Sequence, residues 1–226
     1  MRFKYLDILL GLFVAVFLIS NVVAVKIFQI GPLSFAGGVI LFPFAYIFGD
    51  IFTEVYGYKR TRRIIWIGFL ANFLMAVVFI VVSKLPPATG WPYQKAYEII
   101  LGWVPRIVLA SLLAYWAGEF LNSFVLAKMK IFTKGRWLWT RTIGSTIIGE
   151  LVDTIVFVLI AFIGKLPASL LLNVVLFTYL FKVAVEVIFT PITYLIVGFL
   201  KKKEGIDTFD HRTKFNPFLL KDVNYQ

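Results

Sequence analysis

Residues 35–63 read FAGGVILFPFAYIFGDIFTEVYGYKRTRR. From Phe35 to Tyr56 the run is apolar apart from Asp50 and Glu54, and it then meets Lys59, Arg60, Arg62 and Arg63. About 20 apolar residues, rising roughly 1.5 Å each, cross a hydrocarbon core of about 30 Å. Basic residues just beyond such a run mark the side that stays in the cytoplasm. Asp50 and Glu54 are one helical turn apart and share a face. A charge at the bilayer centre costs roughly 2.5–3.5 kcal/mol, so that face must look into protein rather than lipid. One segment therefore predicts a bundle of several membrane helices with a polar interior.

The rest of the chain agrees. Of 226 residues, 60% are hydrophobic and 15% charged, and the mean hydropathy is +0.88. A soluble domain has nearer 45–50% apolar and about 25% charged residues, so lipid must solvate most of this surface. Spans are predicted at about 6–25, 35–56, 64–83, 103–126, 142–164 and 170–200, with a polar tail over 201–226. The 6–25 run is too long for a signal peptide core and has no small-residue cleavage site after it, so it reads as a retained helix. No linker or repeat divides the sequence, and residues 1–226 read as a single transmembrane domain.

The charge of +11 has a membrane explanation rather than a nucleic-acid one. Of the 23 Lys and Arg, 17 fall in the N-terminal segment, the second and fourth inter-span connections, and the tail. Only Lys26, Lys84, Lys95 and Lys165 fall on the opposite side, while Arg106 and Lys182 lie inside spans. The expected fold class is an all-α integral membrane protein, a bundle of six transmembrane helices with both termini cytoplasmic. Residues 85–101, with Pro86, Pro87, Gly90, Trp91 and Pro92, read as an external loop leading into a short interfacial helix. Pro43 in mid-span predicts a break in span two, either a simple packing kink or, as the functional alternative, a broken helix at a substrate site.

Inside the spans lie Asp50, Glu54, Glu119, Glu150, Asp153 and Glu186, together with Arg106 and Lys182. Exposed to lipid, eight such charges would cost on the order of 20 kcal/mol. Thr146, Glu150 and Asp153 stack on one face of span five; Lys182 and Glu186 share a face of span six; Arg106, Ser111 and Tyr115 lie along span four. These stripes predict one central cavity. The structural alternative is register-fixing ion pairs, Lys182 with Glu186 and Arg141 with Glu119. Asp50 and Glu54 lie near the cytoplasmic end of span two, where Glu54 would be wetted, and Glu119, toward the cytoplasmic end of span four, is the weakest site candidate. Tyr46 and Tyr115 could stack a planar ligand. With no Cys, a single His (His211) and no Walker A, GxSxG or HExxH motif, neither a cofactor nor a metal site is expected, and catalysis is disfavoured.

The run Pro43 to Tyr58, Ser20-Asn21, Arg106…Ala110-Ser111…Ala114-Tyr115, Arg141…Ser145-Thr146…Gly149…Asp153-Thr154 and Phe181-Lys182-Val183…Pro191 resemble the queuosine precursor transporters, a branch of the vitamin uptake transporter family. The similarity spans residues 5–200. It implies a multi-pass protein of the cell (inner) membrane that imports 7-cyano- or 7-aminomethyl-7-deazaguanine, or queuine. Its partners would then be a modified purine base and the lipid bilayer, with no nucleic acid; a homo-oligomer is compatible with the pattern. A guanine-like base offers a ring N–H beside an exocyclic amine, which Asp153 or Asp50 could accept bidentately, with Asn21, Ser111 or Arg106 meeting the carbonyl. The expected binding set is Asn21, Tyr46, Asp50, Glu54, Arg106, Ser111, Tyr115, Thr146, Glu150, Asp153, Lys182 and Glu186, with a proton as coupling ion. The alternatives are a ligand-capturing subunit of an ATP-driven vitamin importer and, in another class, a membrane assembly or scaffold protein.

Overall fold

The structure is a computed structural model describing residues 3–30, 33–102, 104–162 and 168–219. Helix α1 (Leu6–Val23) is followed by strands β1 (Ile27–Ile30) and β2 (Leu33–Ala36), a 3-10 turn (Gly37–Ile40) and α2 (Phe42–Tyr56). Then come α3 (Tyr58–Ser83), α4 (Gln94–Leu101), α5 (Val104–Phe132), α6 (Leu138–Phe162) and α7 (Ala168–Glu204). Among the described residues, six helical segments are long and apolar enough to cross a membrane. The chain is a multi-pass membrane protein, and the short α4 lies where the interfacial helix was expected.

The boundaries differ from the hydropathy reading in a consistent way. Span two does not begin at Phe35 as a continuous helix. β1 and β2 pair antiparallel, with Ile27 opposite Ala36, and the chain then turns against the end of α1. A methyl at Gly37 would strike the Val23 carbonyl, and one at Gly38 would lie 2.6 Å from the Ser20 carbonyl. Only glycine permits that approach. Pro43 therefore sits in the first turn of α2, where a missing N–H leaves no helical bond unmade; there is no mid-helix break.

At the other end α3, α5 and α6 extend past the expected spans. Lys59, Arg60, Arg62, Arg63, Lys128, Lys130 and Arg141 are helical rather than loop residues. Gly57, at φ 83°, alone separates α2 from α3.

This compact corner is covered by the tail. Residues 201–204 complete α7, and 205–219 lie back along the bundle. Asp210, buried, accepts a hydrogen bond from the Tyr58 backbone N–H at 3.0 Å and so caps α3. Arg62 donates to the carbonyls of Lys214 (3.0 Å) and Asn216 (2.7 Å), and Trp66 to that of Pro217 (2.9 Å). Phe215 packs on Tyr58 with ring centroids 4.8 Å apart. At the end of α7, Glu204 accepts from the backbone N–H groups of Lys4 and Tyr5 and from the Tyr56 hydroxyl. Apolar faces of α3 and α7, including Leu70, Leu74, Ile188 and Leu195, are exposed, as lipid-facing surfaces should be.

Replacing the cap by Asp210→Ala should cost about 0.5–2 kcal/mol. The tail should then be cut faster by a soluble protease, while the helical circular dichroism stays unchanged.

Candidate functional site

The buried charges fall into separate groups along the helices. Nearest the tail, Glu54 of α2 is fully buried. Its Oε1 lies 2.8 Å from Arg141 Nη2 of α6, 2.6 Å from Lys201 Nζ of α7 and 3.3 Å from Lys130 Nζ of α5. Lys130 also donates to the Glu54 carbonyl at 2.5 Å, and Lys130 and Lys201 both reach Asp207 of the tail, at 2.5 and 2.9 Å. Glu54 is thus enclosed and not wetted, and Arg141 pairs with it rather than with Glu119. A carboxylate in a low dielectric needs partners on every side, and here they come from three other helices. This is a structural clamp rather than an open site.

The second group joins α6 and α7. Lys182 Nζ lies 2.8 Å from Glu150 Oε2 and 2.5 Å from Asp153 Oδ2, all buried, and 4.5 Å from the centre of the Phe42 ring. The expected Lys182–Glu186 pair does not form. Residues four apart on one helix can touch, but α6 offers Lys182 two carboxylates and therefore a stronger field. Glu186, also buried, has no partner for Oε1 among the described residues.

Tyr46 of α2 comes up to this pair. A methyl at Gly118 of α5 would strike the Tyr46 hydroxyl and lie 2.7 Å from Asp153 Cβ and 2.8 Å from the Gly149 carbonyl. The bare backbones of Gly118 and Gly149 let α5 and α6 cross closely there. Tyr46 and Tyr115 meet edge-on at 6.2 Å, and Phe17 approaches Tyr115 at 4.2 Å. The hydroxyls of Tyr46, Tyr115 and Thr146, all buried, have no hydrogen-bond partner among the described residues. Aromatic faces, unpaired hydroxyls and two carboxylates therefore line one place between α2, α5, α6 and α7.

The third group pairs Asp50 with Asn122, whose Nδ2 donates to Asp50 Oδ1 at 2.7 Å.

Not every expected residue joins these groups. Asn21 donates to Asn72 Oδ1 of α3 and to the Phe17 carbonyl, both at 2.9 Å, tying α1 to α3. Arg106 is exposed and reaches the Ile160 carbonyl at 3.4 Å, away from the carboxylates. Ser111 is buried on α5, one turn before Tyr115. As site residues, sequence reading passed over Asn122, Asp207 and Gly118; it gave Gly149 only as part of the family pattern and counted Lys130 and Lys201 only as cytoplasmic charges. Of the three passed over, Asn122 carried a signal, being a polar residue one turn past Glu119 within an apolar helix.

Glu54→Gln should cost about 3–5 kcal/mol, because it leaves buried Arg141 without an ion partner and Lys130 and Lys201 with Asp207 alone; the detergent-solubilised melting temperature would report it. Asp207→Asn, with a side chain 46% exposed, should cost about 1 kcal/mol or less. Burial opposes ionisation of Asp207, but Lys130 and Lys201 hold its carboxyl below the ordinary 3.8. Its folded value is depressed, so its contribution is present above about pH 4 and is lost as pH falls through the folded value. Asp207→Asn should remove that part of the acid sensitivity.

Residues 36–196 match the family described as "Putative vitamin uptake transporter". The chain is 34% identical over 176 residues to a "Probable queuosine precursor transporter" of Bacillus subtilis (strain 168), covering 77% of each chain. It is 28% identical over 181 residues to the "Queuosine precursor transporter" of Escherichia coli (strain K12), covering 76% of this chain and 79% of that one. A "Probable queuosine precursor transporter" of Haemophilus influenzae is 25% identical over 170 residues. No solved structure matches. With a shared core of this extent, and a membrane bundle to carry it, the chain belongs to the queuosine precursor transporters of the vitamin uptake transporter family, a family of transporters rather than enzymes.

Proposed function

We propose that this protein imports 7-deazaguanine precursors of queuosine, reading the base between α2, α5, α6 and α7. The observation that carries the reading is the buried pair Glu150 and Asp153 sharing Lys182, with Tyr46 beside Asp153. Two carboxylates and one ammonium leave an acceptor in excess. A guanine-like edge presents two adjacent N–H donors, and a carboxylate accepts such an edge bidentately through charge-assisted bonds. Asp153 is the base-reading group: it turns from Lys182 to the ligand while Lys182 keeps Glu150. Tyr46 and Tyr115 supply stacking surface, and the Thr146 hydroxyl adds a polar contact. A base lacking the amine would leave the carboxylate unsatisfied and be rejected. Asn21 and Arg106 fall outside this reading, since their partners lie elsewhere.

Import gives the bundle a direction. The basic end, with Lys59, Arg60, Lys130, Arg141 and the tail, is assigned to the cytoplasm on the charge rule, and the Gly90 loop to the outside. A reporter inserted near Gly90 should read external and one in the Lys134 turn cytoplasmic; a cytoplasmic signal at Gly90 would reverse the orientation. A proton gradient drives accumulation in this reading, so a protonophore should abolish it in proteoliposomes and ATP should be unnecessary.

Asp153→Asn keeps size but replaces an acceptor with a donor aimed at the ligand's own donors. Losing a charge-assisted bond costs about 1.5–3 kcal/mol, equivalent to roughly 10- to 150-fold in affinity. Calorimetric titration with 7-cyano- and 7-aminomethyl-7-deazaguanine measures it. The melting temperature should hold, because Lys182 keeps Glu150. Unchanged affinity with intact folding would refute the assignment.

A further inference from the structure

A second polar cluster lies between α2 and α5, and its chemistry differs from that of the Lys182 pair. Glu119 and Asn122, one turn apart on α5, face Gly49 and Asp50 of α2. A methyl at Gly49 would overlap the Glu119 carboxylate, so glycine there admits that side chain against the α2 backbone. Asn122 Nδ2 donates to Asp50 Oδ1 at 2.7 Å, and Ser123 Oγ to Glu119 Oε1 at 3.2 Å. Asp50, Glu119 and Asn122 are all completely buried. Asp50 Oδ2, Glu119 Oε2 and Asn122 Oδ1 are left without a partner among the described residues.

All three unpartnered atoms are acceptors, so what the cluster lacks is a donor. No ion pair reaches Asp50 or Glu119 among the described residues. Lys182 is committed to Glu150 and Asp153, while Lys130, Arg141 and Lys201 are committed to Glu54. The acidic groups facing the cluster deepen the excess, Glu186 from α7, Glu150 and Asp153 from α6 and Glu54 from α2, while the phenols of Tyr46 and Tyr115, which also face it, are neutral and cannot cancel charge. Neighbouring buried carboxylates cannot all ionise without a counter-charge. Among the described residues no three acidic or His side chains converge to hold a metal ion. A proton meets the need directly. Bound to one carboxylate oxygen, it removes a negative charge and turns an acceptor into an O–H donor, with Asn122 Oδ1 and the other carboxylate as its acceptors.

We propose that Asp50, Glu119 and Asn122 form the proton site of this carrier, separate from the base-reading pair. The proposal rests on the carrier reading for its role, though not for the existence of the site. Proton uptake forms one O–H bond from one aqueous face, and release to the other face breaks it. Without the proton, two carboxylates oppose each other across α2 and α5 and favour separation of those helices. Tyr46, one turn before Asp50 on α2, then shifts against Gly118 and Asp153, which links proton occupancy to the base site.

Two measurements test this on the full-length protein. The first needs no substrate: infrared difference spectra between neutral and alkaline pH, recorded for wild type, Glu119→Gln and Asp50→Asn. Wild type should show a carboxylic-acid carbonyl band at neutral pH that is lost in at least one variant. Absence of the band from wild type, or its persistence in both variants, overturns the proposal. The second uses proteoliposomes with a trapped pH dye and 7-aminomethyl-7-deazaguanine added outside. Wild type should acidify the lumen as the base enters, and Glu119→Gln should reduce that acidification to the level of empty vesicles. Acidification that survives in both variants, or uptake driven by sodium instead, overturns it. A wild type that shows the band but neither binds nor moves the base refutes the carrier reading and supports the proton site. Gly49→Ala keeps both carboxyls but pushes a methyl into Glu119. It should shift the band, and it serves where a charge-neutralising variant does not fold.

Discussion

A carboxylate shut away from water must be answered by cations brought from elsewhere in the chain, and Glu54 shows what that requirement imposes. Its three partners stand on α5, α6 and α7. No helix of that corner can rotate or slide by a residue without leaving a charge uncompensated at a cost of several kcal/mol. Apolar packing between membrane helices is permissive, because lipid chains compete for the same surfaces. The buried ionic contacts supply the register that hydrophobicity leaves open.

Set beside Glu54, the other buried charges form a graded series. Glu54 has cations in surplus and is locked; Glu150 and Asp153 share one lysine and keep an acceptor in reserve; Asp50 and Glu119 have polar neighbours only. Asp50 and Glu54 lie one turn apart on the same face of α2, yet their surroundings are opposite in sign. A clamp at one end, with uncompensated Asp50 one turn deeper along α2 and the lysine-sharing pair beside Tyr46 a further turn in, is an arrangement in which that end holds while the interior exchanges partners.

The membrane character and the six crossings were legible because hydropathy acts through composition over some 20 residues and needs no tertiary information. The inward stripes of Asp50, Glu150 and Asp153 were legible for the same reason, since lipid excludes them. The pairing was not. Lys182–Glu186 obeys helical spacing, but α6 crosses close to α7 and outbids it, and nothing local to Lys182 encodes that crossing. The hairpin before α2 was masked by its own hydrophobicity, since Leu33, Phe35 and Val39 score as a helix would. The tail looked like polar overhang because its anchors are single contacts, Asp210 to Tyr58 and Arg62 to two carbonyls, spread along an irregular path without periodicity. Arg106 carried the family pattern, yet the fold leaves it exposed near the start of α5, against the Ile160 carbonyl of α6.

The tail also bears on how the molecule is made. Glu54 leaves the ribosome well ahead of its counter-ions: Lys130 follows 76 residues later, Arg141 87, and Lys201 147. At about 5–20 residues per second, the acidic corner of the second helix waits roughly 7–30 seconds for its final cation. During biogenesis that corner has to be sheltered at the aqueous rim or by the insertion machinery. Asp207 and Asp210 are synthesised later still, and their arrival seals Lys130 and the start of α3. Closure of this later-made stretch over α2 and α3 thus requires that the crossings between them have already been completed.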